Sequence, residues 1–469
     1  MSADVDDGAS EVVSLLRAIL GHDGVIEDGD VLVAYQRDQA GFVSAGTPLA
    51  AVFPRSTAEV AAVVKLAHQR RIPLVPRGAG SGLAGGANAV DGCLVLVLTR
   101  MNAILAIDSV EHSARVQPGV INADLSRRVR EEGLWYPPDP ASWEFSTIGG
   151  NLATNAGGLC CVKYGVTRDW VQNLEVVLGD GRTVTVGRQT VKGVAGYDLV
   201  GLFVGSEGTL GIITEATLRL RPIPPARTTI VATFATLGAA SEAIASVLAV
   251  SSPALLEIID ATTIAAIERW KRMGLDTDAA ALLLVQSDLP GELVAAEATR
   301  IERACSDAGA DLVVSSTDPE EAEMLLAARR FAFPALEQLG DTLLDDIAVP
   351  RGRLTAMIEA VGDIASRYGL TIGTFGHAGD GNLHPTIVYD RADPAQVERA
   401  AAAFDDIVQA ALSLGGTVTG EHGVGLLKRD HLVQELGPVG VSLQRSIKAA
   451  LDPHHILNPG KVFEGQDSP

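Results

Sequence analysis

The chain has 469 residues, of which 47% are hydrophobic and 20% charged, a balance typical of a globular protein with two or three domains. Its formal net charge of −21 argues against nucleic acid as a partner, because such a surface repels phosphate backbones. An anionic substrate would need local positive charge at its site, from arginine, lysine or a metal.

The N-terminus and the cysteines exclude further classes of protein. The first residues are acidic and lack the basic start and apolar run of a signal peptide, and no apolar run approaches the roughly 18 residues of a membrane helix. The four cysteines form no CxxC pair, which argues against a structural zinc site and an intrinsic iron–sulfur cluster. We therefore expect a cytoplasmic protein that does not span a membrane.

The first half of the chain is predicted to be α+β with many turns. Residues 1–45 form a helical lead-in. A capping box, with Ser56 as N-cap and Glu59 three residues later, predicts a helix that ends near Arg71. A short buried strand follows at 73–76, then a glycine-rich loop, an apolar strand at 93–98, and short strands with Asp-Gly turns to about residue 221.

A Pro-Ile-Pro-Pro segment at 222–225 marks a boundary. Beyond it, strand-like runs alternate with longer helical stretches such as 292–307 and 354–368. A sheet covered by helices on one face would account for this alternation. The strand-like runs are 230–234, 254–259, 281–285, 312–315, 344–349 and 371–375.

Residues 76–87 form a first glycine cluster and read PRGAGSGLAGGA. They contain GxGxxG at Gly80, Gly82 and Gly85, but a Rossmann fold requires this motif to open a helix in a βαβ unit. Here a strand follows, so we reject that interpretation. Successive glycines can still aim backbone N–H groups at a diphosphate, and the flanking strands argue against a merely mobile loop.

Two further glycine-rich pieces follow in the chain. Residues 137–158 read PPDPASWEFSTIGGNLATNAGG, and residues 205–213 read GSEGTLGII. Each alone could consist of turns. Three such pieces in order favour one extended cofactor-binding surface.

A candidate metal site combines GHAGDGNLHP at 376–385 with GEHGVG at 420–425. Three of the nine histidines and one glutamate lie in these glycine-rich turns. Imidazoles and a carboxylate are suitable ligands for zinc or another divalent metal. The alternative is that these histidines are ordinary structural side chains.

In these motifs the chain resembles the FAD-binding flavoproteins of the vanillyl-alcohol oxidase type, from about residue 46 to 464. The resemblance implies a two-lobed PCMH-type FAD-binding domain at 46–224, an antiparallel-sheet-and-helix substrate and metal domain at 225–455, and a tail at 456–469 that returns to the FAD domain. Because Ser81 stands where some relatives carry a flavin-linking histidine, we expect non-covalent FAD. The implied FAD contacts are Arg77, Gly78, Gly80, Ser81, Gly82, Ser146, Gly149, Gly150, Asn155, Gly157, Ile213 and Asn458.

The metal motif further resembles a branch that contains D-lactate dehydrogenases, glycolate oxidases and D-2-hydroxyglutarate dehydrogenase. This resemblance implies a divalent metal, for which we expect zinc, with Asp380 and Asn382 orienting the turn of its ligands. Arg329, rather than its neighbour Arg330, would bind the substrate carboxylate, and His422 would be the catalytic base. The implied metal ligands are His377, His384 and Glu421.

The substrate is expected to be a small D-2-hydroxy acid such as D-lactate or glycolate. Relatives that act on 2-hydroxyglutarate carry a lysine where this chain has Leu344, and Asp345 would repel a second carboxylate. Arg351 or Arg353 could still bind one, so D-2-hydroxyglutarate dehydrogenase stays an alternative.

The implied reaction begins with the metal holding the carboxylate and C2 hydroxyl of the acid. His422 removes the hydroxyl proton, the C2 hydride passes to flavin N5, and the electrons go to a separate acceptor: a quinone, a cytochrome, or a flavoprotein or iron–sulfur partner. Two other classes stay open: a non-redox FAD transferase resembling alkylglycerone-phosphate synthase, and a non-catalytic flavin-binding subunit. The sequence is compatible with a homodimer but does not require one.

Overall fold

A computed structural model describes residues 3–225 and 227–463, so the ends of the predicted lead-in and tail lie outside the described residues. The helices of the described residues are α1 (Ala3–Leu20), α2 (Gly29–Gln36), α3 (Thr57–Arg70), α4 (Asn122–Arg130), α5 (Ile148–Thr154), α6 (Cys161–Tyr164), α7 (Leu199–Phe203), α8 (Leu237–Val250), α9 (Ala261–Lys271), α10 (Leu293–Asp307), α11 (Pro319–Glu337), α12 (Leu354–Tyr368), α13 (Pro394–Ser413) and α14 (Arg429–Leu451).

The strands of the described residues are β1 (Val25–Ile26), β2 (Ala50–Val52), β3 (Leu74–Arg77), β4 (Leu94–Val97), β5 (Ile104–Asp108), β6 (Ser113–Val116), β7 (Leu134–Trp135), β8 (Val171–Val177), β9 (Thr183–Gly187), β10 (Ile212–Arg219), β11 (Arg221–Pro222), β12 (Thr228–Phe234), β13 (Leu255–Asp260), β14 (Ala281–Ser287), β15 (Leu312–Ser316), β16 (Asp341–Leu344), β17 (Ile347–Ala348), β18 (Thr371–His377) and β19 (Asn382–Tyr389).

The chain divides into two compact units. The first consists of Met1–Gly157, Val166–Ile223 and Glu421–Pro469, and the second of Gly158–Gly165 and Pro224–Gly420. The first unit is therefore discontinuous, because its last segment follows the whole body of the second unit in sequence.

The first unit contains a small mixed sheet in the order β1-β2-β4-β3, in which β4 runs parallel to both β2 and β3. Helix α3 begins where predicted, since the Ser56 side chain accepts a hydrogen bond from the Glu59 N–H, and it ends at Arg71 in a left-handed cap. Its buried face, including Val60 and Val64, packs in one apolar cluster with Leu94. The predicted helix and the flanking strands are confirmed.

A second sheet of the first unit is antiparallel, in the order β5-β6-β10-β8-β9. The Asp180-Gly181 turn joins β8 and β9 as predicted, and Gly181 has a φ of 85°, which glycine adopts without strain. These two sheets agree with the two lobes that were expected in this part of the chain.

The second unit is built on an eight-stranded antiparallel sheet of the described residues, in the order β15-β12-β14-β13-β18-β19-β16 with β17 paired to β19. Every residue of β12 and β14 is buried, so both faces of the sheet are covered, since successive side chains point to opposite faces. One apolar cluster joins α9 and α11 to one face, while α8, α10 and α12 contact the sheet outside that cluster. The expectation of helices on a single face was wrong, because these strands are buried at both alternating sets of positions.

Two details near the centre of this sheet differ from prediction. The run expected at 344–349 is interrupted, because β16 ends at Leu344 and the fully buried Asp345 and Asp346 precede β17. Strand β19 was not predicted, because residues 376–385 were assigned to a glycine-rich turn, and that assignment was wrong for 382–385. Proline is unusual inside a sheet. The Pro385 carbonyl nevertheless accepts a hydrogen bond from the Asp345 N–H.

Candidate active site

The first glycine cluster continues from the end of β3 as a loop in which several backbone N–H groups have no acceptor in the described part of the protein. Within the described residues, no N–H from Gly78 to Ala84 donates to a protein acceptor. Gly80 has a φ of 74°, and a Cβ there would lie 2.2 Å from Arg77 Nη2, so glycine is required. Consecutive free N–H groups in such a loop form a concave anion site, and this donor set fits the diphosphate of a dinucleotide.

The Arg77 side chain packs against Gly80 of this loop and anchors it to residues 34–37. Its guanidinium donates to the carbonyls of Arg37 (2.8 Å) and Ala34 (3.4 Å), and the residue is buried. Burial lowers the pKa of Arg77, while the Asp38 carboxylate favours its charged form. A contact of Arg77 with FAD stays a prediction.

The second glycine cluster is held by a buried amide network. The Asn151 side chain donates to Ser146 Oγ (3.2 Å) and accepts from the Asn122 amide (3.1 Å). Gly149 lies against Pro118, where a Cβ would come within 2.6 Å of the proline side chain. The network therefore fixes the backbone at the start of α5.

The remaining residues predicted to bind FAD also belong to the first unit. Asn155 caps α5 in a left-handed conformation and accepts a hydrogen bond from the Arg168 N–H. Ser81 and Gly82 lie in the first loop, Gly150 in α5, Gly157 near the end of the second cluster, and Ile213 in β10.

The C-terminal segment attaches beside the first loop. The Leu74 N–H donates to the Ile456 carbonyl, and the Asn458 N–H donates to the Leu74 carbonyl, both at 2.7 Å. The Asn458 side chain then donates to the carbonyls of Gly86 (2.9 Å) and Glu207 (2.7 Å). Asn458 therefore fixes the far end of the loop.

Glu207 is a buried carboxylate that sequence reasoning missed. It accepts hydrogen bonds from the N–H groups of Val424 (2.7 Å) and Gly425 (2.9 Å), directly after the Glu421–His422 turn. Burial raises the pKa of Glu207 to about 7, although these two N–H groups and the nearby Lys461 favour the ionised form. An acidic residue inside the glycine-rich segment 205–211 was the available signal.

Two of the predicted ligands meet in the second unit. His377 ends β18, and His384 lies on β19 directly opposite Phe375. Both residues are buried, at 5% and 3% exposure, and their rings stand nearly perpendicular with centroids 5.2 Å apart. Their ring nitrogens come within 4.8 Å of each other, which is a spacing that one metal ion can bridge.

Glu257 on β13 joins one of these imidazoles to the predicted substrate-binding arginine. Its Oε1 lies 2.7 Å from His377 Nδ1, and its Oε2 accepts a hydrogen bond of 2.6 Å from Arg329 Nε. Glu257 is fully buried, and the Arg329 guanidinium carbon lies 4.7 Å from the centre of the Phe375 ring. Sequence reasoning missed Glu257, whose signal was one acidic residue within an apolar strand.

Asp346 organises the other imidazole and the start of the second motif. Its Oδ1 accepts from the Asn382 amide at 2.7 Å and lies 3.8 Å from His384 Nδ1. Its Oδ2 accepts from Thr419 Oγ1 (2.6 Å) and the Gly420 N–H (2.9 Å). The Asn382 N–H also donates to Asp380 Oδ1 at 3.2 Å. That Asp380 and Asn382 orient the metal ligands stays a prediction.

The other residues predicted for the metal and substrate site lie partly in the first unit and partly in the second. Glu421 and His422 open the last segment of the first unit, where Glu421 Oε1 lies 3.8 Å from His422 Nε2. Arg330 forms an exposed ion pair with Glu323. Of the two neighbouring arginines, only Arg329 points into the interior of the second unit.

Comparisons with known proteins identify relatives of the whole chain. Residues 223–462 match the family model described as FAD linked oxidases, C-terminal domain, and residues 48–187 match an FAD binding domain. The chain is 46% identical over 418 residues to the glycolate oxidase subunit GlcD of Bacillus subtilis, covering 89% of each chain. It is 36% identical over 445 residues to a D-lactate dehydrogenase of Anaerostipes hadrus, covering 91% of this chain and 92% of that protein.

A solved structure shares the fold at lower identity. The 4-ethylphenol oxidase from Gulosibacter chungangensis superposes with a TM-score of 0.83 at 21% identity, over 98% of both chains, and this likeness concerns the fold alone. Among the described residues, no helix combines the length and apolar character needed to cross a bilayer.

Proposed function

The chain belongs to the FAD-linked oxidases, and from this membership we propose that it oxidises a small D-2-hydroxy acid, such as D-lactate or glycolate, to the 2-oxo acid. The observation that carries the proposal is the meeting of His377 and Arg329 at Glu257. These contacts support the proposal, because an imidazole suited to a metal and a cation suited to a carboxylate would then lie within reach of one small molecule.

A bound FAD would supply the hydride-accepting chemistry for C2 of the acid. The free N–H groups of residues 78–84 would hold its diphosphate, with Asn458 fixing the end of this loop. No histidine stands at Ser81, which supports non-covalent binding. The remaining predicted FAD contacts would surround the rest of the cofactor from the same unit.

His377, His384 and Glu421 would hold a divalent metal, for which we propose zinc, and the ion supplies Lewis acidity when bound. The donor set fits, because two buried imidazoles and a carboxylate leave positions open for substrate. The Gly420 N–H donates to Asp346, whose other carboxylate oxygen lies close to His384. Glu421 directly follows Gly420, and this connection supports counting it among the metal ligands.

The substrate carboxylate would bind Arg329. Of the three guanidinium nitrogens of Arg329, only Nε donates a hydrogen bond to a described residue. Both Nη groups therefore stay available for a two-point contact with a carboxylate. His422 would take the proton of the C2 hydroxyl as general base, since imidazole is suited to proton transfer near neutral pH. Leu344 packs against an apolar cluster, which supports a substrate without a second carboxylate.

The reduced cofactor would pass its electrons to a separate acceptor: a quinone, a cytochrome, or a flavoprotein or iron–sulfur partner. The four cysteines support this arrangement, because those at 93, 160 and 305 are buried and none has the spacing of a cluster ligand set. The chain would therefore carry out only the first half of the redox reaction.

The test uses the purified flavoprotein under anaerobic conditions. D-lactate or glycolate should bleach the oxidised flavin spectrum, and L-lactate should not. Removal of divalent metal by a chelator should abolish bleaching, and added zinc should restore it. If no 2-hydroxy acid bleaches the flavin of metal-loaded protein, the proposed function is wrong.

A further inference from the structure

We propose that Glu257 is a positioning residue that couples the metal-binding imidazole to the substrate-binding guanidinium. This inference rests on the proposed function, but it follows from contacts made entirely within the second unit. Each carboxylate oxygen of Glu257 serves a different partner, with His377 on Oε1 and Arg329 on Oε2.

The contact with His377 fixes which ring nitrogen can bind a metal. An ionised Glu257 can only accept a hydrogen bond, so their 2.7 Å contact would select the tautomer of His377 with its proton on Nδ1. The lone pair of the neutral ring then lies on Nε2. A carboxylate partner of this kind holds the orientation of a ligating imidazole and increases its basicity.

The contact with Arg329 fixes the direction of the guanidinium. Its Nε is occupied by Glu257, and its guanidinium carbon lies 4.7 Å from the centre of the Phe375 ring. Phe375 is paired in register with His384, so the same two strands support the arginine and both imidazoles. A small rotation at Glu257 would therefore displace a metal ligand and the substrate-binding cation together.

Charge provides the second reason for the coupling. The Arg329 side chain is only 10% exposed, and the Glu257 side chain is fully buried. A buried cation without a partner is strongly unfavourable, so Glu257 makes an interior guanidinium compatible with a metal cation close by. Loss of this carboxylate would leave the arginine charge to repel the ion.

The experiment compares Glu257→Gln with a control, Glu297→Gln. Glu297 is also buried in the second unit, but its carboxylate accepts from Ser287 Oγ and the Ser252 N–H and contacts none of the site residues. Zinc affinity of each FAD-loaded variant is measured by competition with a chromogenic chelator. We expect Glu257→Gln to bind zinc about 10–100-fold more weakly, and the control to bind it as wild type does.

A second measurement tests the effect of Glu257 on substrate binding through Arg329. At saturating zinc, Glu257→Gln should raise KM for the hydroxy acid, and Glu257→Asp, which keeps the charge but shortens the reach, should recover part of the zinc affinity. If Glu257→Gln fails to fold, Glu257→Asp alone should weaken both zinc and substrate binding. A variant that loses stability but binds zinc as wild type does would show a merely structural ion pair and overturn the proposal.

The zinc measurement does not depend on turnover. Wild-type protein that binds zinc but oxidises no hydroxy acid would refute the proposed function and leave the role of Glu257 at the metal testable. Wild-type protein that is bleached by D-lactate while Glu257→Gln keeps full zinc affinity would refute only the present inference.

Discussion

Gly425 offers a direct test of how tightly the C-terminal segment holds the first loop. Its φ is 50°, and a Cβ there would lie 2.1 Å from the Ala84 carbonyl oxygen and 2.9 Å from the Gly86 nitrogen. Both contacts are with backbone atoms, which cannot move aside as a flexible side chain can. Gly425→Ala must therefore displace the loop, the segment, or both.

The size of the effect follows from two contributions. A left-handed backbone costs a non-glycine residue about 1–2 kcal/mol, and forced overpacking costs about 1–3 kcal/mol more. We expect Gly425→Ala to lower the free energy of unfolding by about 2–5 kcal/mol. Gly133 is the control in the same unit, with a φ of 72° and no atom within 4 Å of a built Cβ, so Gly133→Ala should show only the first contribution.

The assay is urea unfolding of both variants, combined with FAD retention after gel filtration. Gly425→Ala should lose FAD more readily than Gly133→Ala, because the clash lies at the loop that would bind the diphosphate. Equal stability and equal FAD content in the two variants would refute the packing argument.

Three further predictions concern the site. His422→Ala should keep its FAD and zinc but lose about 10²–10⁴-fold in kcat, as expected for a general base, and near-normal turnover in steady-state assays would reject that role. Arg329→Lys should raise KM for the hydroxy acid at least about tenfold, because lysine lacks the planar two-point contact, and an unchanged KM would exclude Arg329 as the carboxylate ligand. Burial raises the pKa of Glu207 to about 7 from 4.5, so between these pH values the folded state holds a proton that the unfolded state does not, and stability falls as pH rises. Urea unfolding should therefore show Glu207→Gln gaining about 3 kcal/mol on wild type between pH 4.5 and 7, and parallel pH profiles would contradict the raised pKa.

The elements that the sequence predicted correctly carry local signals. Ser56 accepts from the Glu59 N–H and Glu59 accepts from the Arg55 N–H, so local bonds mark the start of α3. The helix expected at 354–368 has the bounds of α12. The two histidine motifs were visible because glycines surround them. Such features depend on neighbours along the chain, which the sequence displays directly.

The parts that could not be predicted depend on distant pairing. Glu257 meets Arg329 across 72 residues and His377 across 120, so nothing near it in sequence reveals its partners. Strand β19 is central despite Pro385, because the proline supplies only a carbonyl where the Asp345 N–H needs an acceptor. Glu207 likewise bonds Val424 across 217 residues.

The attachment of Leu457 beside β3 has a consequence for how the protein is made. Residues 456–458 leave the ribosome several hundred residues after Leu74, yet their backbone completes the hydrogen bonding at the strand that leads into the first glycine loop. Until they are synthesised, Leu74 at the start of β3 lacks these hydrogen bonds, and Gly86 lacks its contact with Asn458. The first glycine loop can therefore reach its final conformation only after residues 456–458 have been synthesised, and a lesion at these residues would damage a surface encoded several hundred codons earlier.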